Sequence, residues 1–129
     1  MAADHEITLR RFMSDWSKDF ESIIQSYRQY LAADVVWEQG PIPTTRSLDE
    51  AIALLRKFHE RVGLENFPAD VRQVVVTGDV GFAERIDHLS RRDGSVIASI
   101  PVTGVFEFNA AGKISAWREY FDSTAIPRL

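Results

Sequence analysis

Apolar side chains recur along this chain first at helical spacing and then at strand spacing. Leu9, Phe12, Met13 and Trp16 follow one another in steps of three and four, which predicts an amphipathic helix over residues 5–17. Asp19 supplies a cap, and Phe20, Ile23, Ile24, Tyr27, Tyr30 and Leu31 repeat the stripe, predicting a second helix that ends near Ala33. Val35 to Gln39 is a β-prone run with Trp37 and Gln39 on one face. The Gly40-Pro41-Ile42-Pro43 segment reads as an extended loop, because proline has no N–H to give to a ladder. Ser47 and Glu50 form a capping-box pattern ahead of Leu48, Ala51, Ile52, Leu55, Phe58, His59 and Val62, so a third helix should end at Gly63.

Beyond Pro68 the period falls to two. Val71 to Thr77, the turn Gly78-Asp79 and the run from Val80 to Leu89 predict a hairpin. Arg91 to Gly94 gives a second turn, Val96 to Phe108 a long strand, Asn109 to Gly112 a third turn and Lys113 to Phe121 a last strand. Helices followed by consecutive hairpins imply an α+β domain, a curved antiparallel or mixed sheet covered by the N-terminal helices. Pro101 and Gly104 inside the long strand suggest a bend or bulge that would curl the sheet around a cavity.

Composition narrows the picture only in places. With 129 residues, 45% hydrophobic and 26% charged, the chain suits one domain spanning 1–129. The absence of cysteine excludes disulfides, thiolate nucleophiles and cysteine-ligated zinc, and the net charge of -4 argues against a nucleic-acid partner. Asp4 and Glu6 stand where a signal peptide needs a positive region, and no apolar run reaches the roughly 18 residues of a membrane span, so a cytoplasmic location is expected. His5, His59 and His88 lack metal-ligand spacing, and neither a Gly-x-Ser-x-Gly elbow nor a Gly-rich phosphate loop occurs.

What alters the picture is charge inside an apolar alternation. On the strand from Val80 to Leu89, Arg85 and Asp87 share a face with Ala83 and Leu89; on the last strand, Glu119 shares one with Trp117 and Phe121. Ile100 and Val102 are candidates for the same cavity, with Gly104 leaving room beside them. Two carboxylates and one arginine cannot all be satisfied in a dry pocket, so Asp87 and Glu119 would split into proton donor and acceptor. Spacing alone leaves a second possibility open, a solvated Arg85–Asp87 pair on a sheet edge.

Four segments, Val36 to Pro43, Glu84-Arg85-Ile86-Asp87-His88-Leu89, Gly104 to Phe108 and Gly112 to Asp122, resemble in order and spacing the limonene-1,2-epoxide hydrolase family. The resemblance runs from about the second helix to Asp122. It implies an NTF2-like (SnoaL-like) cone with a deep apolar pocket, an apolar small-molecule substrate, no cofactor, and a homodimer. It also implies one-step epoxide hydrolysis, with Asp87 protonating the epoxide oxygen, Arg85 bridging the acids and a second carboxylate activating water. That second carboxylate falls on Glu119, where the family has aspartate. The water-holding positions fall on Trp37 and Gln39, where it has tyrosine and asparagine. Three departures in five keep two alternatives in view: a non-hydrolytic apolar-ligand binding protein, and an isomerase or cyclase that abstracts a carbon-bound proton.

Overall fold

The computed structural model describes residues 2–125. Helix α1 spans Ala2–Ser14 and tightens into a 3-10 turn, Asp15–Ser17; it starts earlier than the periodicity predicts, ahead of its first buried apolar residue. Helix α2, Phe20–Tyr30, opens on Asp19, whose carboxylate accepts the Ser22 N–H at 2.8 Å. It ends three residues before the expected boundary, and strand β1, Leu31–Gln39, begins without a loop. Leu31 is buried in either conformation, so the helical stripe ran on into the strand and concealed the change.

Strand β2, Ile42–Thr45, replaces the predicted loop: it pairs antiparallel with β1, with Gln39 opposite Ile42 and Trp37 opposite Thr45. Pro43 is tolerated because β2 is the edge of the sheet, where a missing N–H breaks no ladder. Helix α3, Leu48–Val62, lies between the expected caps. Ser47 Oγ accepts the Glu50 N–H at 3.1 Å, and Gly63 closes it at φ 75°, a left-handed conformation that favours glycine.

A three-residue strand absent from the sequence reading, β3 (Leu64–Asn66), precedes β4 (Ala69–Thr77), β5 (Val80–Arg91), β6 (Val96–Phe108) and β7 (Ile114–Tyr120). The sheet runs β2-β1-β7-β6-β5-β3, with β4 also pairing β5. Every pairing is antiparallel except β1 with β7, which joins the first and last strands in parallel and makes the sheet mixed. Of the bend or bulge expected at Pro101 and Gly104, the bulge is not there, since the β5–β6 register runs unbroken from Val80 opposite Glu107 to Leu89 opposite Ala98. Register shifts fall instead between Leu89 and Ser90, Glu107 and Phe108, and Val71 and Gln73. Pro101 fits because β7 pairs with β6 only from Thr103 onward, leaving one side of β6 free there.

The helical stripes pack on the inner face of this curled sheet. Leu9, Phe12, Met13, Trp16, Ile23, Ile24 and Tyr27 lose essentially all exposure, and Ala51, Leu55 and Phe58 of α3 join them. Burial of so many large side chains, each worth about 1.5–3 kcal/mol, is the main drive for the helices to dock. Among the described residues no helix is long and apolar enough to cross a membrane.

Candidate active site

Strand alternation puts Arg85 and Asp87 on the inner face of β5, and β5 is an interior strand, flanked by β6 on one side and by β3 and β4 on the other. Arg85 is 1% exposed, which excludes the solvated edge pair. Its Nε donates to Asp87 Oδ1 at 2.9 Å and its Nη2 to Asp87 Oδ2 at 3.1 Å, a bidentate clasp. The same Nη2 donates to Glu119 Oε1 on β7. The guanidinium lies 4.8 Å from the Trp16 ring centroid, so its face is also held, by a cation–π contact.

Gly104 makes this convergence possible. In register it lies between Ala83 of β5 and Glu119 of β7, and a Cβ there would come within 2.6 Å of Arg85 Nη1 and 2.8 Å of Glu119 Oε2. The room that the sequence suggested is thus occupied by the arginine–carboxylate bridge.

The parallel pairing of β1 with β7 supplies the other wall. Trp37 aligns with Trp117 and Gln39 with Glu119, so both β1 side chains stand beside the buried carboxylate. Trp37 stacks on Trp117 at 4.6 Å and 12°, and Trp117 stacks in turn on Trp16 at 5.6 Å. These rings and aliphatic side chains enclose a cavity of about 80 Å³. Asp87, Arg85, Glu119, Trp37 and Gln39 all line it, as do Leu89, Ile100, Val102, Trp117 and Phe121.

Two carboxylates share one buried cation, and their proton affinities respond. Burial pushes Glu119 up to about 7, with Arg85 opposing the rise and the Asp87 charge adding to it. Asp87 is also raised by burial, against the pull of its two Arg85 hydrogen bonds. For Arg85, burial works against the charge, but Glu119 and Asp87 outweigh it and keep the guanidinium protonated. The neutral state of the triad holds one proton between the two acids, and a second proton or a second ionisation leaves net charge in a dry site.

Several polar atoms of the cavity have no partner among the described residues: Trp16 Nε1, Trp37 Nε1, Trp117 Nε1, Gln39 Nε2, Arg85 Nη1, Glu119 Oε2 and the Tyr27 hydroxyl. Buried polar atoms left single are costly, so this side of the cavity is built to receive a polar group. Sequence reasoning missed Tyr27 and Trp16 here, because both sit on helical stripes that read as core. The available signal was that each carries a polar atom onto an otherwise apolar face. The histidines stand elsewhere: His5 bonds Asp79 and stacks on Phe108, His59 bonds the Leu64 carbonyl and His88 bonds Ser99.

A curled mixed sheet covered by three helices, with its chemistry on the inner face, defines the NTF2-like cone. An NTF2-like protein of unknown function from Burkholderia pseudomallei superposes with a TM-score of 0.75 at 17% identity, over 93% of this chain and 92% of that one. Within this class the chain belongs to the limonene-1,2-epoxide hydrolase family, whose catalytic-domain model matches residues 6–128. It is 30% identical over 106 residues to the epoxide hydrolase EphG of Mycobacterium tuberculosis, a match covering 82% of this chain and 64% of that relative, just under two thirds of its length. The structure of an M. tuberculosis LEH-like epoxide hydrolase superposes with a TM-score of 0.68 at 23% identity, over 92% of this chain and 84% of that one.

Proposed function

We propose that this protein hydrolyses an epoxide on an apolar small molecule to a vicinal diol, in one step and without a covalent intermediate. The observation that carries the reading is the buried Asp87–Arg85–Glu119 bridge at the wall of an apolar cavity, one cation between two acids. Glu119 takes a proton from water as the water oxygen attacks an epoxide carbon. The C–O bond breaks, and Asp87 gives its proton to the departing oxygen. Arg85 holds both acids and offsets whichever charge is present. Trp37 and Gln39 orient the water from β1.

Burial raises both acids of the pair, and turnover needs the shared proton on Asp87. The donors Trp37 Nε1 and Gln39 Nε2 beside Glu119 favour its ionised form once a water joins them, which moves the proton to Asp87. Family membership and the EphG match support the hydrolase reading over a cyclase or isomerase. On the outer face of the sheet Val75 and Phe82 pair across β4 and β5 and are both exposed, which supports a homodimer through that face.

The test is diol formation from a panel of compact and bulky epoxides. The parent should convert at least one, and Asp87→Asn should lose activity by about 10²- to 10⁴-fold. Unchanged turnover in that variant sinks the assignment of Asp87 as the acid.

A further inference from the structure

The partnerless cavity atoms are unevenly divided between donors and acceptors. Trp16 Nε1, Trp37 Nε1, Trp117 Nε1, Gln39 Nε2 and Arg85 Nη1 can only donate, and Glu119 Oε2, when ionised, can only accept. The Tyr27 hydroxyl is the one atom of these seven that does both. A water that attacks carbon must keep one lone pair free, which leaves three hydrogen bonds: one accepted and two donated. Trp37 or Gln39 can supply the first. Glu119 takes one donated proton, and the second needs another acceptor: the Gln39 amide oxygen serves only when Gln39 is not the donor, whereas the Tyr27 hydroxyl serves in either case.

We propose that the Tyr27 hydroxyl is that acceptor, touching the nucleophilic water from α2 and so fixing the direction of its lone pair. The inference rests on the hydrolase reading above. Tyr27 is fully buried at the cavity wall, and its ring lies 5.6 Å from Trp37 and 5.8 Å from Trp117. Its ring thus packs against both the strand that carries Trp37 and Gln39 and the strand that carries Trp117 and Glu119. Burial, and after it the nearby Glu119 charge, raises its phenol well above the ordinary range, so it keeps its own proton throughout. The hydrogen it accepts remains on the product hydroxyl, and the transferred proton goes to Glu119.

Tyr27→Phe removes the hydroxyl and keeps the ring against Phe12, Trp37 and Trp117. Deleting a buried hydroxyl without a protein partner should leave Tm unchanged or raised. The expected result is a kcat about 10- to 100-fold lower with KM within about twofold, as befits a contact made to the attacking water. A kcat within about threefold of the parent, or a loss carried by KM, overturns the inference.

A second readout does not depend on turnover. Groups facing Glu119 are Arg85 and Asp87 on β5, Trp37 and Gln39 on β1, and Tyr27 on α2. Carboxyl ¹³C NMR of glutamate-labelled protein follows Glu119 in parent and variant. Loss of the tyrosine-held water should move its titration upward by about half a pH unit. If the parent opens no epoxide, the hydrolase reading falls. The titration still decides whether Tyr27 and Glu119 share a water: a shift supports it and an unmoved titration overturns it.

Discussion

Glu119 is where folding and chemistry oppose each other. Its carboxyl holds a proton to about pH 7 in the folded protein and releases it in the ordinary glutamate range when unfolded. The folded state therefore binds that proton more tightly, so its contribution to stability is full below the ordinary range and is lost as pH rises through about 7. Asp87, also raised by burial, acts in the same direction. Glu119→Gln should remove the Glu119 part of this loss. Denaturant unfolding at pH 8 should show the variant more stable than the parent by on the order of 1–3 kcal/mol, with little difference at pH 4. The same substitution removes the base and should abolish diol formation. In the parent, kcat/KM should follow a bell-shaped pH profile whose upper limb falls near 7, because above it both acids are ionised and below the lower limb both are protonated. A stability gain at pH 4 as large as at pH 8 would show that the buried charge is not its source.

At the scale of elements, two glycines of the sheet separate site from scaffold. Gly104 of β6 lies against Arg85 and Glu119, whereas a Cβ on Gly81 of β5 would fall 2.4 Å from Leu9 Cδ1 of α1. Neither has a positive φ, so alanine meets only a space problem at each. Gly104→Ala should lower kcat/KM by about 10²-fold through displaced carboxylate and guanidinium groups, with the far-UV spectrum intact. Gly81→Ala should instead lower Tm, from about 1–3 kcal/mol of overpacking, and retain kcat within a few-fold. Equal loss of activity in both would mean that the cone as a whole, and not the Gly104 gap, limits the site. That Arg85 and Asp87 share a face was legible, because one strand's alternation fixes it without any partner strand; that this face turns inward was not, since spacing left a solvated edge pair open beside it. The Gln39–Glu119 adjacency was not, since it depends on a parallel pairing between strands at opposite ends of the chain. β2 and β3 escaped because they are four and three residues long, too short to show a period, and β2 contains a proline. Tyr27 escaped for the opposite reason: its helical period was so regular that its hydroxyl was absorbed into the core.

The whole molecule closes around the cavity, and this links occupancy of the site to global stability. The walls come from the end of α1, from α2 and α3, and from β1, β5, β6 and β7, with the first and last strands paired in parallel between them. Unfolding any of these layers opens the cavity, so a ligand that binds only the closed form must raise Tm. At ten times its Kd such a ligand contributes about 1.4 kcal/mol, a shift of roughly 5 °C for a chain of this size. The binding-protein alternative and the hydrolase reading then diverge in time. Incubated with an epoxide of the panel, the parent should show a Tm rise that changes as diol accumulates, while Asp87→Asn, with the walls intact, should keep its rise indefinitely. A shift that persists equally in both proteins, with no diol in the parent, would assign the cone to ligand storage. A shift in neither would mean that the epoxide tested does not enter the space between Trp37, Leu89 and Phe121.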